Sequence, residues 1–359
     1  MKRSVSYFFI FSLLWACGSP DSNDKVEPVD RSQVFQNIFK EAIVPAHEDL
    51  ISATEDVLAQ AKVFQENSDI ESLEKLRTLW TKARIQWAHV ELYNIGEINE
   101  GFAHYRLNRY PANTDKLESN LKGADELDLA FVESAGSNTV GFAALEFLLF
   151  KDGQETEAVL AERQEMRERY ADYLVALSQY LSDESKVLLE KINGMESVWS
   201  ANTDMYSMNQ LVNAYVALIE TMKNNKVGKP SGLYGSQGED PSLVECPYSK
   251  ISFALMEANL QELAHSFQAG GGTNLYAVLD QVQTEVSGSA ELSGIIQNAF
   301  TESNSLLVSM DLPLSEMVLE DPVKVAELHA ALHDLLLAVK VDMANLLGVT
   351  VVFNDNDGD

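Results

Sequence analysis

Cysteine is nearly absent. Two thiols in 359 residues, Cys17 and Cys246, are too few for a disulfide framework or a thiolate zinc cluster. Positive charge is also scarce: 26 Lys and Arg stand against 55 Asp and Glu, a formal net charge of -29. That balance excludes nucleic acid as a partner, since phosphate binding needs cations in excess. It equally excludes adsorption to anionic lipid through a basic face. No stretch reaches the roughly 18 uncharged apolar residues that a membrane-spanning helix requires. Only nine prolines occur, none of them between Ala112 and Lys229 or between Ala46 and Tyr110. Spans so free of helix breakers suit long helices. What remains is 46% hydrophobic and 9% aromatic, ample for packed cores, and the length favours two domains over one.

The N-terminus reads as an address. Lys2 and Arg3 precede the apolar run Tyr7 to Ala16, which is too short to cross a bilayer. It closes on Leu14-Trp15-Ala16-Cys17, which resembles the bacterial lipobox. Residues 1–16 therefore read as a lipoprotein-type signal peptide, Cys17 as the lipidation site, and residues 17–30 as a polar, flexible tether. The expected location is the cell envelope, as an outer-membrane lipoprotein facing the periplasm or the cell surface. Its contact with the lipid membrane would run through acylated Cys17.

The rest reads as helices. Leu73, Leu76, Trp80, Ala83, Trp87 and Val90 step by three and four, the seam of a helix in a bundle. Ser68-Asp69-Ile70-Glu71 has a capping-box pattern before that seam, and Gly96 is placed as its stop. Asp321-Pro322 reads as an N-cap and first helical position, opening a helix to about Leu347. Further helices are expected over 32–66 with a kink at Pro45, and over 114–133, 138–150, 156–181, 205–225, 247–268 and 289–309. Lys151-Asp152-Gly153 is the strongest break. The expected fold is all-α, with an N-terminal helical bundle over 31–153 and a C-terminal one over 154–359. A faint likeness between the halves makes a duplicated four-helix bundle one form of this architecture.

Chemistry-bearing residues are few. Gly141 to Phe150 is apolar on every side except for Glu146, and a buried carboxylate needs a partner or a shifted pKa. Glu146 is either a packing anchor or a ligand-facing group. Arg84, Trp87 and Glu91 form a second set. Arg84 and Glu91 are seven residues apart, about 10.5 Å along a helix, so direct pairing between them is not expected and Glu146 is the natural partner for Arg84. His329 and His333 have the i, i+4 spacing of metal ligands, although Ala330 breaks the zinc-protease pattern HExxH. The closing Asn354-Asp355-Asn356-Asp357-Gly358-Asp359 is a weak hint of calcium, since the chain ends before an EF-hand loop would be complete.

Several of these pieces together resemble the imelysin-like proteins. They are Trp80-x-x-Ala83-Arg84-x-x-Trp87-x-x-x-Glu91 before Gly96, Arg109-Tyr110-Pro111, and Gly141-Phe142-x-x-x-Glu146-Phe147-Leu148-Leu149. Lys226-x-Gly228-Lys229-Pro230, Val244-Glu245-Cys246-Pro247-Tyr248-Ser249 and the acidic C-terminus extend the match over roughly residues 31–359. The resemblance implies two helical bundles, a site where they meet, and exported proteins linked to bacterial iron uptake. Where the family carries Gly-x-His-x-x-Glu, this chain has Ala143, and a methyl group can neither ligate a metal nor shuttle a proton. The chain looks closer to the iron-regulated branch lacking that His, which points away from catalysis.

The resemblance then implies a ligand cleft lined by Glu146, Arg84, Glu91, Trp87, Glu245 and Ser249. It would belong to a non-enzymatic component of iron or metal-complex acquisition, with iron or another divalent metal as the cofactor class and envelope uptake proteins as partners. The alternative is a metallopeptidase-like hydrolase with a metal site built from Glu146, His329 and His333.

Overall fold

The computed structural model describes residues 28–352 except Asp152 and Ser236. The expected signal peptide, Cys17, the tether up to residue 27 and the acidic terminus from Phe353 lie outside the described residues. Within them every regular element is helical and no strand occurs. No described helix is long and apolar enough to cross a membrane.

The first helical rod begins at Arg31, where the Asp30 carboxylate accepts from the Ser32 and Gln33 amides. It widens into a π-helical turn over Phe39–Ile43 and continues as α1 (Val44–Asn67). The expected irregularity at Pro45 thus falls just ahead of the proline, whose ring would clash with the preceding turn. Ser68 ends α1 in a left-handed conformation, and Asp69 caps α2 (Ile70–Val90) by accepting from the Ser72 amide at 2.8 Å. The capping pair is therefore Asp69 with Ser72, one residue beyond the expected Ser68 and Glu71. The whole seam of α2 is buried.

Gly96 does not stop this helix. It opens the next short one, Gly96–Glu100, at φ +49°, where a Cβ would meet Met195 Sδ at 2.7 Å. The helix expected over 114–133 divides into Thr114–Lys122 and Leu129–Glu133. The apolar α3 (Gly141–Phe150) forms as expected, with Glu146 buried inside it. The span expected to start at Thr156 divides at Arg163, and its main part is α4 (Arg167–Gly194). Next come α5 (Tyr206–Glu220), continued by a π-helical stretch over Thr221–Gly228, and α6 (Ser252–Gln268). The helix Leu275–Ser287, capped by Asn274, follows the triple glycine where no helix was expected. Then come α7 (Leu292–Val308) and α8 (Pro322–Leu337), the latter capped by Asp321 as expected.

The most extensive helix contacts are those of α1 with α2 and α4, while α7 packs on α8 and α6 lies against α2. Helix α4, which follows the Lys151-Asp152-Gly153 break, is thus the neighbour of α1. One cluster of buried apolar side chains runs from Val34 to Val349. The α2–α6 contact matters most for function, because it brings the C-terminal end of the Trp seam against elements from the second half of the chain.

Candidate functional site

The last turns of α2 supply Arg84 and Trp87, and the 3-10 turn that follows supplies Glu91. The π-helical stretch supplies Lys226, the loop after Pro241–Leu243 supplies Glu245, and α6 supplies Asn259. These side chains close a ring of charges. Glu91 meets Arg84 at 3.2 Å and Lys226 at 2.9 Å; Glu245 meets Lys226 at 3.0 Å and is also paired with Arg84. Asn259 braces the ring, donating to Glu91 at 3.1 Å and accepting from Lys226 at 2.8 Å. Arg84 and Glu91 do pair directly, contrary to the expectation from their spacing. Both side chains are long, and Glu91 begins a 3-10 turn (Glu91–Tyr93) that departs from the ideal helix.

All four charges are mostly or wholly removed from water. Burial acts to lower the pKa values of Arg84 and Lys226, but the two carboxylates outweigh it and raise both. Burial likewise acts to raise Glu91, and Lys226 and Arg84 outweigh it and hold it below the usual carboxylate range. In the ring each anion faces two cations and each cation two anions. Removing one member would leave an uncompensated buried charge.

Glu146 takes a different part. Its Oε1 accepts from the Tyr248 amide at 3.1 Å, the Ser249 amide at 2.9 Å and the Ser249 hydroxyl at 2.8 Å. Burial raises its pKa, opposed by the hydrogen bonds from Ser249 and by the nearby charge of Arg84. Glu146 therefore meets Ser249, while Arg84, for which Glu146 was the expected partner, pairs with Glu91 and Glu245 instead. The result is a loop clamped at both ends, with Glu245 held by the charge ring and Tyr248 and Ser249 held by Glu146. Buried Cys246 sits between the two clamps, its thiol pKa pushed up by burial.

The ring forms part of the wall of a cleft of about 1040 Å³. Of the expected site residues, Trp87, Glu91 and Glu245 line it, whereas Arg84, Glu146 and Ser249 are not part of the lining. The same lining includes Asn94, Asn99, Phe102, His104, Tyr105 and Asn108, with the His104 ring edge-on to Trp87 at 4.7 Å between centroids, and α5 contributes Asn209, Gln210 and Asn213. Burial drives the His104 imidazole down to about 3, so it is neutral. Sequence reading missed these carboxamides and Lys226's pairing, because neither shows a spacing pattern. The Lys226-x-Gly228-Lys229-Pro230 motif was the available signal for Lys226.

His329 and His333 are elsewhere. His329 lies beside Gly228, where an added Cβ would be 3.4 Å from its Nε2. Among the described residues no group of three or more His, Cys, Asp and Glu is arranged to hold a metal ion. The metal set Glu146, His329 and His333 is therefore not assembled, since one carboxylate oxygen of Glu146 is engaged with the 248–249 backbone and His329 packs on the π-helical stretch. With Ala143 contributing only a methyl group, these residues do not fit a catalytic metal.

The family model for Imelysin matches residues 43–339. The chain belongs to the Imelysin family. Two solved structures share its fold. An imelysin-like protein from Psychrobacter arcticum is 19% identical, with a TM-score of 0.73 over 91% of this chain and 99% of its own. A protein assigned as an iron-regulated protein A precursor, from Parabacteroides distasonis, is 14% identical, with a TM-score of 0.73 over 88% and 94% of the two chains. No curated protein matches the sequence. Within this Imelysin fold, the charge ring and its clamped loop combine the Trp-Arg-Glu segment, the Glu146 helix, the Lys226 turn and the Glu245 loop, the pieces on which the resemblance rested.

Proposed function

We propose that this Imelysin-family chain is a lipid-anchored, non-enzymatic binding protein of iron or metal-complex acquisition at the bacterial cell envelope. The carrying observation is the cleft of about 1040 Å³ walled in part by Trp87, Glu91, Lys226 and Glu245. Its size exceeds what a bare ion needs and suits an organic or chelated ligand. Ala143 in place of the family histidine, and the unassembled Glu146, His329 and His333 set, speak against the metallopeptidase alternative. A structural neighbour assigned as iron-regulated supports the iron connection. Cys17 after a basic, apolar leader supports an acylated anchor in the outer membrane, facing the periplasm or the surface, where envelope uptake proteins would be the partners.

Titration of the purified protein with ferrous and ferric iron and with haem, followed by calorimetry, tests the binding reading. Saturable binding of one of them and expression that rises on iron limitation are the expected results. No binding together with iron-independent expression would sink it, and peptide hydrolysis that depends on added zinc would revive the alternative. Cys17→Ala should move the protein from the membrane to the soluble fraction. Retention on the membrane would remove the anchor.

A further inference from the structure

The charge ring has no charge left over. Two cations and two carboxylates close on one another, so the ring offers neither an unpaired anion for a free metal ion nor an unpaired cation for an acidic ligand. Around it the molecule carries a net charge of -29, which repels polyanions at long range. The rest of the lining is uncharged and carries both donors and acceptors. Three buried polar atoms in the wall, Trp87 Nε1, His104 Nε2 and Asn94 Oδ1, have no partner in the protein, and buried groups of this kind are ordinarily satisfied. Trp87 is 1% exposed and lines the cleft, so its N–H is a buried donor without a protein partner beside that space. At the rim, Phe102 and Tyr105 are 66% and 50% exposed and stack on each other with ring centres 6.0 Å apart. That is an apolar platform beside a wall of donors and acceptors.

We infer that the cleft takes an uncharged ferric trihydroxamate chelate, seated with its oxygens toward Trp87 and its organic backbone on the Phe102–Tyr105 platform. This rests on the metal-complex reading above and narrows it. Three hydroxamates cancel the charge of ferric iron, so the chelate enters an acidic protein without a Coulomb penalty. Its coordinated oxygens are acceptors for the Trp87 N–H, and a backbone amide would donate to Asn94 Oδ1. A triply anionic tris-catecholate of similar size would meet the same neutral ring and the same overall repulsion.

The test is calorimetry on the full mature chain with four probes: ferrichrome as the neutral trihydroxamate, ferric enterobactin as the tris-catecholate, ferric citrate, and maltotriose as a neutral polyol. Ferrichrome should saturate one site per chain and bind at least about tenfold more tightly than each of the others. Phe102→Ala and Tyr105→Ala, both at exposed positions that leave the core intact, should each weaken it by roughly three- to tenfold. Trp87→Phe should weaken it as well, with circular dichroism confirming the fold. Tighter binding of the catecholate or citrate would overturn the trihydroxamate and leave the metal-complex reading standing. Tighter binding of maltotriose would overturn the trihydroxamate in favour of a glycan. Failure of every iron species would remove both readings. Ferrichrome binding unchanged in all three variants would remove the cleft as its seat.

Discussion

Glu146 holds one oxygen against two amides and a hydroxyl of a single loop. The sequence showed why it must have partners, since it is the lone ionisable group in an apolar helix. It could not show which, because Tyr248 and Ser249 lie about a hundred positions away. Glu146→Ala would take the acceptor away from three part-buried donors, at a cost of about 2 kcal/mol in urea unfolding. Glu146→Gln, which keeps an acceptor, should cost less than half of that. Cys246 reports on the loop directly, being buried between the two clamps. Its labelling by a thiol reagent, mapped by peptide mass, should be slow in the parent and several-fold faster in Glu146→Ala well below the unfolding transition. Equal labelling rates would mean that the loop stays in place without Glu146.

Among the elements, the π-helical stretch Thr221–Gly228 does most to build the site, because it turns Lys226 onto Glu91 and Glu245. Such widened turns are common at functional sites. Periodicity predicted a plain helix to Asn225, since a π-turn leaves no mark in the apolar pattern. Lys226→Met should destabilise by about 3–5 kcal/mol, with two carboxylates left short of a counter-charge. The double variant Lys226→Met with Glu91→Gln should recover part of that loss, and a chemical-denaturation cycle would read the coupling. Gly228 sets the turn's closeness: a Cβ there would stand 2.7 Å from Tyr234 Cβ and 2.9 Å from the Lys223 carbonyl. Gly228→Ala should therefore cost stability and loosen Lys226, seen as a smaller penalty for the Lys226→Met change in that background.

Across the whole molecule, acid should be the weak point. Burial pulls His47 down to about 4 and His104 to about 3, both from 6.5, so the native state keeps both neutral while the unfolded chain binds protons. Their contribution is present above about 6.5 and is lost as pH falls toward the folded values, with a slope of up to about 1.4 kcal/mol per pH unit for each. Glu262 adds to this lower down. Burial would raise it, but hydrogen bonds from His265, His89 and Tyr93 outweigh that and hold it at about 2, so its support fades below 4.5. His265, raised by its bond to Glu262, works in the opposite sense and softens the slope near neutrality. Urea unfolding at pH 7, 6 and 5 should show falling stability, and His47→Phe should flatten the fall. A stability independent of pH over that range would mean that the two imidazoles are not buried neutral.

The sequence by itself determined the all-helical class, the buried seam of α2, the cap at Asp321 and the isolation of Glu146. Each follows from periodicity, proline placement or the cost of burying a charge, and these act over a few residues. It also carried the motifs that place the chain in the Imelysin family. Tertiary structure decided the rest. Arg84 pairs with Glu91 and Glu245 instead of Glu146, and Ser249 approaches Glu146 from a loop. The carboxamides of α5 join the 94–108 segment in lining one cleft, with Gln210 accepting from the Gly96 amide. None of these can be read from spacing, because the partners meet only where α6 packs on α2 and the 241–251 loop closes over α3, and burial then selects the pairs that leave no charge alone.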